Sequence, residues 1–173
     1  KKTGEIETGV TFELGDLNNQ DFLDSFDFSF DAVIHLGAIP QHFEDRDFEV
    51  FDNNVASAYK IFAKAAENNV KVVIYASSLS IYGTAYSKPW TSPAFAPFDE
   101  SLPLNRYDSY ALSKEVNERS ADMWSNRSTT AYVGLRFPFC KTKKTYEDFA
   151  LAQRDGDANT IQIAAKILWG YLD

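Results

Sequence analysis

The chain has 173 residues, 45% of them hydrophobic and 24% charged, enough for one globular domain with a substantial core. A net charge of -8 and a pI near 4.8 exclude a basic surface for nucleic acid. One cysteine and two histidines exclude an internal disulfide and a cysteine-rich metal site, and no apolar run is long enough to span a bilayer. A soluble protein of the reducing cytoplasm is the expectation, with no nucleic-acid or membrane partner.

In chain order, "VTFELGD" (10–16) is a weak candidate strand, and "FDAVIHLGA" (30–38) a stronger one. The spacing of Val55, Tyr59, Phe62 and Ala66 predicts a helix over 54–69, stopped by Asn68 and Asn69. "VKVVIYASS" (70–78) is a second strong strand. Its run Val72-Val73-Ile74-Tyr75, like Ala32-Val33-Ile34, predicts burial on both faces, as in a parallel sheet. Four of the six prolines then fall in 83–104, which marks an excursion loop. "DSYALSKEVNERSADMW" (108–124) is a second helix, capped by Asp108 or Ser109, with Ala111, Val116 and Met123 available for packing. "TTAYVGLRF" (129–137) is a third strong strand. The alternation of strands and helices is that of a doubly wound α/β fold with a parallel sheet. After Cys140 the chain turns polar, then apolar and helix-like in "TIQIAAKILWGYLD", the expected start of a second lobe. No G-x-G-x-x-G turn is present, so the usual opening of a dinucleotide-binding fold is missing from this chain.

Within "YDSYALSKEV", Tyr110 and Lys114 stand one helical turn apart. A phenol titrates near 10, too high for an efficient base at neutral pH, and a neighbouring ammonium favours its phenolate. Taken alone the pair is weak, since chance supplies roughly 0.6 such spacings in a chain of this composition. Ser77 and Ser78 strengthen it, because they close a strand at the edge where parallel sheets bind ligands. A serine hydroxyl there can donate to a substrate oxygen while Tyr110 moves the proton. Among the other polar and aromatic residues, His35 reads as a packed core residue and Cys140 as structural. Tyr82, Trp90 and Phe95 either line a sugar or base site or pack on the core, and Arg136 either anchors a carboxylate or closes a strand end.

These residues together resemble the extended short-chain dehydrogenase/reductases, the NAD-dependent nucleotide-sugar epimerase/dehydratase group. The likeness runs through most of residues 11–140. It implies a Rossmann-like fold whose 1–140 portion is a partial NAD(P)-binding domain and whose 141–173 portion begins the substrate lobe. "GDL" resembles the adenine-contacting element and implies Asp16 and Leu17 at the cofactor. "VIHLGA" implies Leu36, Gly37 and Ala38 along the adenosine and ribose, and "DNNVASAYK" places Asn54 at the family's cofactor-side asparagine. "SSLSIYG" implies Ser78 as the catalytic hydroxyl. "YALSK" implies Tyr110 as base, with Lys114 as both pKa modifier and ribose ligand.

The family's sugar dehydratases carry an acidic pair directly after that hydroxyl, where this chain has Leu79 and Ser80. The resemblance therefore implies epimerisation of a sugar or nucleotide-sugar through a transient ketone, with a sugar or uronate dehydrogenase as the alternative. The cofactor it implies is NAD or NADP. It also carries an expectation of homodimerisation through helices 54–69 and 108–124. A noncatalytic dinucleotide sensor or scaffold is the rival from another class. With the glycine turn absent and the substrate lobe cut short, the chain reads as an internal fragment with little activity of its own.

Overall fold

The computed structural model describes residues 10–158 apart from 85, 90 and 141, and leaves the side chains of 149, 152 and 153 undescribed. Its elements are α1 (Gln20–Asp24), β1 (Ala32–His35), α2 (Asp47–Glu67), β2 (Val72–Ser78), a 3-10 turn (Leu79–Tyr82), α3 (Ser109–Arg127), β3 (Ala131–Phe137) and α4 (Lys143–Arg154). The three strands form a parallel sheet in the order β1-β2-β3, aligned through Val33, Val73 and Tyr132 and through His35, Tyr75 and Gly134. The expected Rossmann-like α/β arrangement is therefore present.

Both connections are crossovers between adjacent parallel strands, and such crossovers are right-handed, so α2 and α3 fall on the same face. That face carries the main core, in which Phe62, Ala58 and Ala65 of α2 meet Val73 and Tyr75 of β2, with Leu23, Phe28 and Ala121 closing it. The aromatic rings interlock there: Phe62 lies 5.0 Å from Tyr75 and 5.3 Å from Tyr132, centroid to centroid.

Several expectations are corrected. The opposite sheet face is open among the described residues: Ile34 is 68% exposed, and Val133, Leu135 and Phe137 are exposed beside it. The apolar runs match a sheet covered on both sides, but no described helix covers the second side. Residues 10–16 form no strand, because no described strand edge hydrogen-bonds to them, and Val10, Phe12 and Leu14 stand exposed. Helix α2 begins seven residues before the expected start, with Asp47 and Glu49 in its first turn favourable to the positive helix end. Its buried stripe is also rotated from the expected one: Val50, Asn54, Ala58, Ile61 and Ala65 are inside with Phe62, while Tyr59 faces out.

The predicted stop of α2 is present and has a clear cause. Asn69 takes a left-handed φ of 54°, its amide donates to Ala66 O (3.3 Å), and the Val70 amide donates to Ala65 O (3.0 Å). Those two bonds are a Schellman cap, and buried Val70 supplies the accompanying apolar contact. No helix among the described residues is long and apolar enough to cross a membrane. The apolar segment 160–173 and Trp90 lie outside the described residues.

Candidate active site

Strand β2 ends in Ser78, which is 8% exposed and shapes the turn that follows. Its hydroxyl accepts from the Ser80 amide (3.1 Å) and donates to Ser80 Oγ (3.1 Å), so Ser78 caps the 3-10 turn. Gly83 then takes a left-handed φ of 72°. A Cβ at Gly83 would stand 2.0 Å from the Asn105 carbonyl oxygen, so only glycine lets the returning chain pass. The Asn105 amide donates to Ile81 O (2.9 Å) and closes the base of the proline-rich loop. Ile81, Tyr82 and Leu102 bury together there, which settles Tyr82 as a packed residue.

Asp108 is the cap of α3, accepting from the Ala111 amide at 2.8 Å. The buried face of this helix is polar: Ser113, Lys114, Glu115 and Asn117 lie inside with Ala111 and Ala121. Val116 and Met123, expected to pack, are only half-buried. Such a face is costly unless its groups find partners. Lys114 Nζ donates to the Ala76 carbonyl (2.9 Å), Ser113 Oγ donates to Tyr110 O (2.7 Å), and Asn117 Nδ2 donates to Asn54 O (3.2 Å).

Ser78, Tyr110 and Lys114 meet as a result. Lys114 Nζ lies 5.5 Å from the centre of the Tyr110 ring. Burial pushes the Tyr110 phenol above its ordinary value, and its hydrogen bond with Ser78 opposes the rise. Burial also lowers Lys114 to about 8. A neighbouring ammonium is expected to depress the phenol, but loss of hydration is the leading effect on both groups. His35 is buried beneath them, and burial together with the Lys114 charge lowers it to about 4. It is neutral at pH 7 and packs on Phe62, as expected of a core residue.

A second cluster lies at the end of β1. Leu17 packs so tightly on Gly37 that a Cβ there would stand 2.6 Å from the leucine Cδ1. Leu36 is 64% exposed and Ala38 half-buried. Asp16 turns the chain by accepting from the Asn18 amide (2.8 Å), and Asn18 Nδ2 donates to Asn53 Oδ1 (3.0 Å). Asn54, only 1% exposed, clasps the backbone after Ala38: its Oδ1 accepts from the Ile39 amide (2.7 Å) and its Nδ2 donates to Ile39 O (3.1 Å). The same Nδ2 lies 3.3 Å from Ser113 Oγ. The amide thus links the loop after β1 to α3. The two groups of site residues share one end of the sheet on neighbouring strands, with Asn54 and His35 between them.

Three further features join residues from different elements. Glu118 binds Arg136 in a two-point contact (2.9 and 2.7 Å) and accepts from Ser77 Oγ at 2.5 Å, which decides Arg136 as a carboxylate anchor. The spacing Tyr110, Lys114, Glu118 was the available signal, since all three fall on one helix face. His42 pairs with Asp47 (3.3 Å), which also accepts from Ser109 Oγ (2.7 Å). Tyr86 lies 5.7 Å from the His42 ring, and its phenol is raised by burial and by Asp108. Nothing local in sequence joins residues 42, 47, 86 and 109. No group of three or more His, Cys, Asp or Glu side chains suited to a metal exists among the described residues.

The donor set around Lys114 could hold the hydroxyls of a ribose. Lys114 is an ammonium with three hydrogens and a single carbonyl acceptor, 4% exposed, beside two hydroxyls. Among known proteins it is 30% identical over 121 residues to a UDP-glucose 4-epimerase of Pisum sativum, covering 67% of this chain and 32% of that one. To a UDP-glucose 4-epimerase of Halalkalibacterium halodurans it is 28% identical over 132 residues, covering 74% and 37%. The chain thus spans about a third of the length of the curated relatives it matches. Its fold is that of a short-chain dehydrogenase/reductase superfamily protein of Agrobacterium tumefaciens solved with bound NAD (TM-score 0.66, 22% identity, 84% of this chain and 47% of that one). It is also that of the Brucella ovis UDP-glucose 4-epimerase in complex with NAD (TM-score 0.60, 22% identity, 71% and 37%). The NAD dependent epimerase/dehydratase family profile matches residues 1–142, and the chain belongs to that family.

Proposed function

We propose that the whole protein to which this chain belongs is an NAD-dependent epimerase acting on a secondary alcohol of a nucleotide-sugar, with Ser78, Tyr110 and Lys114 as its catalytic residues. The carrying observation is Lys114 Nζ at 5.5 Å from the centre of the Tyr110 ring, with Ser78 near enough to that phenol to lower it against burial. NAD, when bound, supplies a reversible hydride acceptor. Tyr110 takes the proton from the substrate hydroxyl at its phenolic oxygen and returns it when the ketone is reduced on the other face. Ser78 Oγ, held by the Ser80 amide, turns its hydrogen from Ser80 Oγ to the substrate oxygen. Lys114 offers its positive charge to the phenolate and its free hydrogens to a ribose. Asp16, Leu17, Leu36, Gly37, Ala38 and Asn54 serve the adenosine side, Asn54 by holding the Ile39 backbone in place. UDP-sugars are favoured by the names of the relatives.

Leu79 disfavours a dehydratase, for it has no proton to transfer at the position after Ser78. A sugar or uronate dehydrogenase uses the same first step and differs only in releasing the ketone. Tyr110→Phe in the whole protein tests the assignment. Turnover of UDP-glucose is expected to fall at least about 100-fold, as for loss of a general base, while NADH binding followed by fluorescence persists. Unchanged turnover would refute the role of Tyr110. Product analysis separates the two reactions: interconverted sugars mark an epimerase, stoichiometric NADH a dehydrogenase.

A further inference from the structure

We propose that Arg136 is a positioning residue that holds the Glu118 carboxylate away from Lys114, so that the Lys114 ammonium remains free to serve Tyr110. Tyr110, Lys114 and Glu118 occupy successive turns of α3, so Lys114 and Glu118 are natural i, i+4 partners. An ion pair between them would neutralise the ammonium beside the phenol. Instead the carboxylate is captured from the far side. Arg136 of β3 donates Nε to Oε1 (2.9 Å) and a terminal nitrogen to Oε2 (2.7 Å), and Ser77 of β2 donates to Oε1 (2.5 Å). The other terminal nitrogen of Arg136 donates to Tyr82 Oη (2.6 Å), which donates to Asp99 O (3.0 Å). All three guanidinium nitrogens are thereby engaged, by Glu118 and Tyr82, and among the described residues Lys114 is left with the Ala76 carbonyl as its hydrogen-bond acceptor.

On α3 and its cap, buried Asp108 accepts from the Ala111 amide and raises Tyr110, and buried Glu115 is paired with Arg106 and Arg119, which leaves Glu118 as the carboxylate in play for Lys114. From β1 there is His35, neutral at pH 7. From α2 there is the uncharged Asn54, reaching Ser113. From β2 there are Ser78 and Tyr75, the latter a phenol raised by burial and by Glu118 and Asp122, against Arg136. Burial opposes ionisation of Glu118, but the hydrogen bonds from Arg136 and Ser77 prevail and hold it below the ordinary carboxylate range. Arg136 is moved upward, first by its hydrogen bonds to Glu118. Both partners are charged and engaged.

This inference rests on the reading of Tyr110 and Lys114 as a catalytic pair, yet its test needs no turnover. Lysine side-chain NMR on the labelled chain follows the titration of Lys114, assigned by its loss in Lys114→Met, with circular dichroism reporting the folded state. In Arg136→Gln the released carboxylate turns toward Lys114, and the Lys114 midpoint rises by roughly one pH unit or more. Adding Glu118→Gln removes that carboxylate, and the midpoint returns toward about 8. A merely structural clamp makes the single and double variants titrate alike, which would overturn the proposal, as would a midpoint unmoved in Arg136→Gln. Should Arg136→Gln fail to fold, Arg136→Lys keeps one contact. It then shows a smaller rise that Glu118→Gln abolishes, and equal midpoints with and without Glu118→Gln overturn the proposal. Loss of catalysis is read separately by Tyr110→Phe, so the two failures are distinguishable.

Discussion

Burial acts on His35 and Lys114 in one direction, because each loses the water that solvates its cation. His35 illustrates the consequence for stability. Its folded value is about 4 against an ordinary 6.5, so between those limits the unfolded chain binds more protons than the folded one. Stability therefore rises with pH across that window and falls as pH drops through it. The full penalty, reached below pH 4, is on the order of 3 kcal/mol for a group this buried. His35→Leu keeps the volume and removes the titration. Urea denaturation of both proteins from pH 7 to pH 4 is expected to show wild type losing stability faster, with the difference between the curves developing between 6.5 and 4. Parallel curves would mean that His35 is protonated without cost in the folded state.

At the level of elements, α3 and the turn after β2 carry the most instructive chemistry. Gly83 combines a left-handed φ with an approach of 2.0 Å between its missing Cβ and Asn105 O. Gly83→Ala is expected to cost about 1–3 kcal/mol in chemical denaturation, from backbone strain and loss of the Ile81–Asn105 closure. A variant as stable as wild type would contradict the steric argument. Strands 30–38, 70–78 and 129–137 were legible because short apolar β-branched runs have few other uses. The closeness of Tyr110 and Lys114 was legible because their spacing on one helix implies one face. The rotation of α2 was not legible, since Asn54 and Ser57 are buried where a periodicity argument places Tyr59 and Val55. The burial of Asn54 depends on the Ile39 backbone donating and accepting from another segment, which no window of sequence reveals, while Ser57 donates within the helix to Asn53 O. Arg136 stayed ambiguous for the same reason: its partner Glu118 is eighteen residues away and on another element.

Across the whole molecule, the two sheet faces are unlike. One is sealed by α2 and α3. The other presents Ile34, Val133, Leu135 and Phe137 in register around Ile74, with Leu36 beyond the end of β1, and Phe12 and Leu14 are exposed elsewhere on the surface. Monomeric proteins seldom leave an apolar patch of that extent bare. The cost of exposing it is already present in the chain as it stands, so placing charge there removes little folded-state packing. Val133→Lys combined with Leu135→Lys is therefore expected to change the unfolding free energy by less than about 1 kcal/mol, in the range of ordinary surface substitutions. The same pair is expected to lower fluorescence of the apolar dye ANS several-fold and to slow aggregation of the isolated chain. A loss of several kcal/mol would instead mean that these side chains are packed in solution, and that the sheet is covered on both faces as its apolar runs first suggested. The outcome bears on the site as well. Ser78 is paired with Phe137 across β2 and β3, and Ala76, the acceptor for Lys114, is paired with Leu135. Among the described residues, the strand segments that carry Ser78 and the acceptor for Lys114 thus border the open face directly.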